Sequence, residues 1–226
     1  YDELSNETYL GLTKSDYSMD PYQRYAASKK DQMDADHIQY LLTHTLNFSS
    51  SFKVVSNVYY NGFKRNWYKL DDVVFEDKKK KISDIVSSPN LFLGHYSILS
   101  GSTNGKADAL RVKANNREYY SKGLQTKIDY YWYGKNESFN NIEIGFRIHY
   151  DEEDRFQWED GYSINNGNMK LTSKGILGAE GNRISSAESF ATYIMYKYKF
   201  KGFTLTPGLR YESIILGRED FGKSNP

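Results

Sequence analysis

The residues with the most obvious chemical potential are a run of four carboxylates, Asp151-Glu152-Glu153-Asp154, and four scattered histidines. Two carboxyl groups can hydrolyse a glycosidic bond and several can hold calcium, but each chemistry needs a fixed arrangement. A run along one chain does not aim two carboxyls at one sugar, and the calcium spacing D-x-[DN]-x-[DN]-G is absent. The histidines lack H-x-H or H-E-x-x-H spacing. We therefore predict no catalytic residue and no metal site, and we expect the acidic run to form a solvated loop entrance.

Other signatures of catalysis are also missing. The chain has no cysteine, which excludes disulfides, thiol nucleophiles and Cys-ligated zinc. The segment 101–106 is one residue short of a phosphate-binding loop, and no Gly-x-Ser-x-Gly nucleophile elbow occurs. The formal net charge is only +1, so no basic field attracts nucleic acid. These features predict a protein that is not an enzyme, needs no cofactor and binds no nucleic acid.

Alternation of apolar and polar residues dominates the chain and predicts β-strands. The clearest case is 142–150, where large apolar residues occupy every second position. Such segments pair around short turns at 49–51, 134–138 and 201–202, which predicts three hairpins. The mean hydropathy of −0.74 and the lack of any 18-residue apolar run exclude a transmembrane helix. It does not exclude a membrane β-barrel, because alternating strands are polar on average.

The connections between the hairpins differ from the turns within them. Segments 68–116 and 157–187 are long, polar and weakly patterned, which is unusual in a compact soluble domain. Short turns at one end, with aromatic residues beside them, and long loops at the other are typical of outer-membrane barrels. The aromatic residues near the short turns are Tyr130, Trp132, Tyr198, Phe200 and Phe203. We predict an all-β, antiparallel transmembrane β-barrel segment with long extracellular loops, whose roughly six strands are too few to close and belong to a larger barrel.

The longer of the two predicted loops has two local features. It contains the basic run 78–81 and a short helix predicted near 83–87. A solvated charged loop is our main interpretation of the lysines, and attraction to lipopolysaccharide phosphates is the alternative.

Six stretches go beyond generic strand patterning. They are NETYLGLT at 6–13, DPYQRYAAS at 20–28, DQMD at 31–34, YYNGFKRNWYKL at 59–70, RFQWED at 155–160 and LTPGLRYE at 205–212. Together they resemble TonB-dependent outer-membrane receptors of the ferric-dicitrate type. The last stretch is widespread among TonB-dependent barrels, whereas the first two are more particular to the ferric-dicitrate-like branch.

The resemblance implies a barrel of about 22 strands, occluded by an N-terminal plug domain and coupled to an inner-membrane TonB complex. Such receptors import a scarce iron chelate. We accordingly expect residues 1–226 to form part of the barrel domain in the cell outer membrane, with the plug and the remaining strands absent. The implied partners are outer-membrane lipid and lipopolysaccharide, the TonB complex through the missing N-terminal part, and an iron chelate such as ferric citrate.

An anionic chelate needs cationic side chains near the mouth of the barrel, and guanidinium groups bind carboxylates in bidentate geometry. The candidate substrate-binding residues are Arg24, Arg65, Arg147, Arg155, Gln157 and Trp158. The alternation places Arg65 and Arg147 facing the lumen, and it places Arg24 and Arg155 at strand–loop junctions. The alternative is that the arginines pair with acids of neighbouring strands, for which Glu143, Asp151 and Glu212 are available, and that Gln157 and Trp158 pack within a loop.

A soluble antiparallel β-sandwich that binds glycans is the main alternative to a transporter, since it also has hairpins and many tyrosines. A sandwich buries Ile144, Phe146 and Ile148 beneath a second sheet, whereas a barrel exposes them to lipid. An enzyme is the third hypothesis, and turnover that depends on Glu143 or Asp151 would support it.

Overall fold

The computed structural model describes residues 1–8 and 10–223, with every side chain among them except that of Asn136. Tyr9, in the 6–13 motif, lies outside the described residues. These residues form ten strands: β1 (Asp2–Ser5), β2 (Gln32–Asn47), β3 (Phe52–Phe75), β4 (Lys78–Lys81), β5 (Gly105–Tyr133), β6 (Phe139–Asn165), β7 (Asn168–Ser173), β8 (Gly181–Phe200), β9 (Phe203–Leu205) and β10 (Gly208–Asp220). They also form the helices α1 (Lys14–Met19), α2 (Ile82–Ser87) and α3 (Leu93–Ser100), and 3₁₀ turns at Ala26–Ser28, Pro89–Phe92 and Lys135–Glu137.

The strands make one open antiparallel sheet. Its order is β1-β2-β3-β5-β6-β8-β10, and the short strands β4, β7 and β9 each pair with one neighbour. The three predicted hairpins are confirmed as β2–β3, β5–β6 and β8–β10, and their short turns all lie at the same end of the sheet. The two ends of the order, β1 and β10, do not pair with each other.

The strands extend much farther than the alternation predicts. β3, β5 and β6 contain 24, 29 and 27 residues, so much of segments 68–116 and 157–187 is strand rather than loop. Backbone pairing continues beyond the point where the side chains stop alternating in polarity. Because this alternation is the sequence signal of a strand, the sequence does not reveal these extensions. The acidic run 151–154 and residues Arg155, Gln157 and Trp158 therefore lie inside β6, and the prediction of a loop entrance there is wrong.

The long strands have two chemically different faces. Even-numbered residues of β2, β3, β5, β6 and β8 form what we call the apolar face, on which Ile144 and Ile148 are 37% and 55% exposed. Odd-numbered residues, such as Asn57 and Gln125, form the polar face. In the described part of the chain no second sheet covers the apolar face. A sandwich would bury Ile144 and Ile148, so the alternative fold is wrong.

Two rows of aromatic side chains bound the apolar face. In the lower row, nearest the short turns, ring centroids lie 5.1 to 6.3 Å apart along Phe48, Phe52, Tyr130, Trp132 and Tyr196. In the upper row the spacing is 5.6 to 6.5 Å along Tyr40, Tyr60, Tyr120 and Tyr150. The predicted cluster beside the short turns is thus confirmed for Tyr130 and Trp132, and the sequence did not reveal the upper row.

A small hydrophobic core lies at the end opposite the short turns. Helices α1, α2 and α3, with β4 and β7, cover the extended ends of β3, β5 and β6, and we call this assembly the cap. Its largest fully buried apolar side chains are Leu70, Ile85, Leu99, Leu110 and Ile164. The helix predicted near 83–87 is confirmed as α2. None of the helices in the described residues is long and apolar enough to cross a membrane.

The basic run 78–81 is part of the cap. It forms β4, in which Lys79 Nζ lies 3.1 Å from an Asp72 carboxylate oxygen. Lys81 Nζ lies 2.8 Å from an Asp71 oxygen and 3.2 Å from Asp72. The basic run is therefore a strand rather than the predicted loop, and acids at the end of β3 pair with these two lysines, whose side chains remain 53% and 54% exposed.

One buried carboxylate fastens the N-terminal segment to α3. Asp16 accepts hydrogen bonds from Tyr25 Oη at 2.6 Å, from Thr13 Oγ1 at 2.7 Å and from Tyr96 Oη at 2.7 Å. Thr13 also caps α1, because its hydroxyl accepts a hydrogen bond from the backbone N–H of Asp16. Burial raises the pKa of Asp16, but the hydrogen bonds from Tyr25, Thr13 and Tyr96 outweigh burial and hold this pKa below its ordinary value.

Replacing Asp16 with asparagine is expected to loosen the N-terminal segment by about 1–3 kcal/mol, because an amide cannot accept from three donors as a carboxylate does. Hydrogen exchange of residues 10–31 in the full-length protein measures this opening. Since the folded pKa of Asp16 is lowered, its stabilisation is complete at neutral pH and is lost as the pH falls through that pKa, below about 3.8. The matched control is D20N, because exposed Asp20 accepts one backbone N–H at 2.9 Å, which an amide oxygen also accepts. Equal exchange rates in D16N and D20N would contradict this prediction.

Candidate functional site

Four arginines lie side by side on the polar face, and we call them the arginine row. The register pairs Arg65 of β3 with Arg117 of β5, and it pairs Arg117 with Arg155 of β6. Arg155 in turn lies opposite Arg183 of β8. Directly opposed residues have Cβ atoms about 4.5–5.5 Å apart, and like charges at such positions destabilise a sheet. A row of four therefore costs stability.

The protein itself neutralises this row only in part. Glu153 Oε1 lies 2.8 Å from Arg117 Nη1 and 3.9 Å from Arg155 Nε. Within residues 1–8 and 10–223, neither Arg65 nor Arg183 forms an ion pair. The Nε atoms of Arg155 and Arg183 are buried and have no hydrogen-bond partner there. The row thus keeps positive charge and unused donors, which is the property expected of an anion-binding surface.

The polar face stays rich in donors and cations toward the cap. Immediately beyond the row, the Gln157 side-chain amide donates a hydrogen bond to Asn115 Oδ1. Farther along, Lys69 of β3 and Lys113 of β5 lie opposite each other. At its far end the row meets Asp220 of β10, but this carboxylate is already engaged by the guanidinium of Arg218 at 2.7 Å.

Three of the predicted residues meet at this site. Arg65 and Arg155 belong to the row, and Gln157 lies next to it on the polar face. Sequence reasoning missed Arg117 and Arg183. Arg183 falls in a segment predicted to be a loop, and Arg117 falls just before a predicted strand. The only signal in the sequence is that both residues have odd numbers, as do the other residues of the polar face. This signal can be used only when β5 and β8 are known to extend as far as Arg117 and Arg183.

Arg147 lies on the polar face of β6 but far from the row. Its Nε donates to Tyr59 Oη at 3.0 Å, and its Nη2 lies 3.1 Å from His149 Nδ1. Eight residues of strand separate it from Arg155, a distance of about 26 Å. Arg147 and Arg210 instead line a separate small cavity nearer the short turns.

The carboxylates predicted as alternative partners of these arginines contact other side chains. The pairs are Glu143 with Lys127 at 3.0 Å, Asp151 with His149 at 3.1 Å, and Glu212 with Arg210 at 3.1 Å. Among the candidate arginines, and within the described residues, only Arg155 has an ion-pair contact, with Glu153 at 3.9 Å.

The two remaining candidates lie elsewhere. Arg24 donates to the backbone carbonyls of Asn6 and Asp31 at 2.9 and 3.0 Å, so its guanidinium fastens the N-terminal segment. Trp158 follows Gln157 in β6 and points to the opposite face, where its ring lies 6.5 Å from that of Phe156. Neither side chain adds to the arginine row.

The chain is similar in structure to the ferric citrate transporter FecA in its unliganded form, with a TM-score of 0.64 and 17% sequence identity. The similarity covers 98% of this chain and 26% of the FecA chain, so this chain spans about a quarter of that protein. No family model and no curated protein matches the sequence. A likeness at this identity establishes the fold. The prediction of an antiparallel β-barrel segment is therefore confirmed, since the open sheet has the fold of about a quarter of the FecA chain.

Proposed function

We propose that this chain forms part of the wall and mouth of a TonB-dependent outer-membrane receptor that takes up an anionic iron chelate, ferric citrate or a similar siderophore complex. The arginine row is the observation that carries this proposal. In a FecA-like barrel the polar face lines the interior, and a passing anion would meet four guanidinium groups there, of which two contact Glu153 and one lies opposite Asp220.

The location in a membrane is supported by the dimensions of the apolar face. Tyr120 of the upper aromatic row and Tyr130 of the lower row lie ten residues apart on β5. Ten residues span about 33 Å of strand, and a tilt of about 40° reduces this to a height of about 25 Å. Outer-membrane barrels have an apolar band of about 25 Å between two aromatic girdles. The exposed Ile and Leu side chains between the two rows would contact lipid tails.

The arginine row then lies at the outer mouth. Arg117 is three residues beyond Tyr120 toward the cap, about 10 Å along the strand and outside the apolar band. Short turns face the periplasm in outer-membrane barrels, so the cap at the opposite end faces the cell exterior. A chelate arriving from outside would thus meet the row before it enters the barrel.

Citrate suits such a site because its carboxylates accept paired N–H donors from guanidinium groups. Several arginines in one row bind a polyanionic chelate better than a monoanion, since each carboxylate can find its own partner. Iron would remain held by the chelator, so the site needs no protein ligand for the metal.

Our proposal extends to the partners and to the absence of catalysis. The protein would act as a receptor rather than an enzyme, with no cofactor of its own. It would contact lipid and lipopolysaccharide through its apolar face and outer rim. The TonB complex would act through other parts of the full-length receptor.

Iron uptake by intact cells tests the proposal. Deleting the gene of the full-length receptor is expected to abolish growth on ferric citrate as the only iron source, together with uptake of radioactive iron citrate. Restoring the gene should recover both, and a protonophore should stop uptake because TonB coupling uses the inner-membrane proton gradient. Unchanged uptake of anionic iron chelates in the deletion strain would show that the proposal is wrong.

A further inference from the structure

A small cavity lies on the polar face, nearer the short turns than the arginine row. Its volume is about 140 Å³, and residues of β5, β6, β8 and β10 line it. The ring of Tyr193 lies close against Gly145, where an added Cβ would collide with the ring. The missing side chain thus lets the ring lie back against the sheet, which keeps the space in front of it open. The polar side chains that line the cavity are Gln125, Arg147, Tyr193 and Arg210.

Arg147 keeps an uncompensated positive charge at this cavity. Its Nε donates to Tyr59 Oη at 3.0 Å, and its Nη2 lies 3.1 Å from His149 Nδ1. Because a guanidinium can only donate, Nδ1 is the acceptor and the imidazole is neutral, with its proton on the Nε2 that faces Asp151. Within residues 1–8 and 10–223, Arg147 forms no ion pair. Neither of its two contacts therefore cancels the charge of the guanidinium.

The acids near the cavity are each engaged by another cation. Glu143 lies 3.0 Å from Lys127 Nζ. Glu212 accepts from Nε and Nη2 of Arg210 at 3.3 and 3.1 Å. In the part of the chain that the structure describes, Nη1 of Arg210 and Nη1 of Arg147 have no hydrogen-bond partner. Both guanidinium groups thus keep N–H donors for an anion, and the charge of Arg147 is in excess.

The geometry suits a single carboxylate group. Strands β6 and β10 lie on either side of β8, so they are about 10 Å apart. Two guanidinium groups on those strands can approach one carboxylate from opposite sides, each with N–H···O bonds of about 2.7–2.9 Å. Gln125 lies opposite Arg147 on β5, and its amide offers a further donor.

The route from the arginine row to this cavity is open along β8. Between Arg183 and Tyr193, every polar-face residue of that strand has a small side chain. These residues are Ser185, Ala187, Ser189 and Ala191. On β6 the route covers eight residues from Arg155 to Arg147, about 26 Å. Passage through a pore needs several sites that each bind weakly enough to release the solute, and a second cationic site inside the mouth meets that need.

We propose that Arg147 and Arg210 form a second anion site, which receives a carboxylate group of the iron chelate after the chelate leaves the arginine row. This inference rests on the proposed function, from which it takes its ligand. The row captures the chelate at the mouth, and the inner site draws it toward the periplasm. The inner site binds more weakly than the row, because it has two guanidinium groups rather than four and Glu212 already pairs with one of them.

Protection from phenylglyoxal, which modifies guanidinium groups, locates the anion without any transport. Peptide mass spectrometry of the detergent-solubilised full-length protein reports each arginine separately. Iron-free citrate at ten times its half-protecting concentration is expected to slow modification of Arg147 and Arg210 about tenfold. Arg111 in the cap is the control, and its rate should not change. Modification of Arg147 that is equally fast, or equally slow, with and without citrate would overturn the proposal, because no free carboxylate then enters the cavity.

Uptake by cells tests the role of the inner site. R147M is expected to lower the maximal rate of ferric citrate uptake at least about tenfold, the effect of one lost charge-assisted hydrogen bond. The concentration for half-maximal uptake should change little, because the row sets the overall affinity. R147K keeps the charge and should recover most of the rate, and K53M is the control for a polar-face cation outside the cavity.

Two uptake results would contradict the inner site. A maximal rate in R147M equal to that of the parent protein would overturn the proposal. Equal slowing by R147K and R147M would also overturn it, because the contacts to Tyr59 and His149 would then matter rather than the charge. If the parent protein neither binds nor imports ferric citrate, the proposed function is wrong, and the protection of Arg147 by citrate alone then decides whether the anion site exists.

Discussion

On the proposed function, replacing Arg65 and Arg155 with methionine in the full-length protein is expected to weaken ferric citrate binding by at least about 100-fold. A hydrogen bond to a charged group contributes about 1.5–3 kcal/mol, and about 1.4 kcal/mol changes affinity tenfold. The loss of two guanidinium contacts therefore costs about 3 kcal/mol or more, which corresponds to a loss of affinity of at least about 100-fold. Methionine keeps much of the length and apolar packing of arginine while removing the charge. Titration of the detergent-solubilised receptor with ferric citrate measures the change.

The same double variant should be no less stable than the parent protein. Arg65 and Arg155 each lie directly opposite Arg117, so their removal relieves repulsion between like charges. Thermal unfolding in detergent is expected to shift upward or remain unchanged. A variant that loses binding through misfolding would instead unfold at a lower temperature, and the two measurements together separate these causes.

Two single variants serve as controls. K53M removes a cation from the same strand and face as Arg65, but twelve residues away, about 40 Å toward the short turns. R147M removes the guanidinium that contacts Tyr59 and His149. We expect little change in affinity from either. If R147M weakens binding while the double variant R65M/R155M does not, the anion binds at the deeper cavity and our assignment of the row is wrong.

Replacing Ile144 with arginine is expected to destabilise the folded barrel in lipid by about 2–4 kcal/mol, the range for a cation placed at the bilayer midplane on a lipid-facing strand. Ile144 lies between the aromatic rows and opposite Ile128 and Ile194 on the neighbouring strands. Urea unfolding of the full-length receptor in lipid vesicles, followed by heat-modifiable electrophoresis, measures the loss.

The matched control for this prediction is S189R. Ser189 lies on the polar face of β8, opposite His149, and would place the new arginine in the barrel interior. Its effect is expected to be much smaller than that of I144R, because the interior is hydrated. If the apolar face met water rather than lipid, I144R would change stability by no more than about 0.5 kcal/mol, as exposed surface substitutions usually do.

The sequence by itself determined the hairpins, their short turns, and two residues of the lower aromatic row, Tyr130 and Trp132. In 142–150 the polarity alternates with the period of a strand, and this pattern depends only on neighbouring residues. Local helix signals likewise predicted α2 near 83–87. It failed where β3, β5 and β6 extend toward the cap, because side chains on both faces there are partly buried or polar and the alternation disappears.

Only the tertiary structure decided which arginines meet. Arg65 and Arg155 look alike in sequence to Arg147 and Arg24, yet strand register brings the first two together with Arg117 and Arg183 and leaves the others apart. Register depends on pairing between residues far apart in the chain, and a shift of one residue moves every side chain to the opposite face. No local pattern carries that information, so the site exists only in the folded sheet.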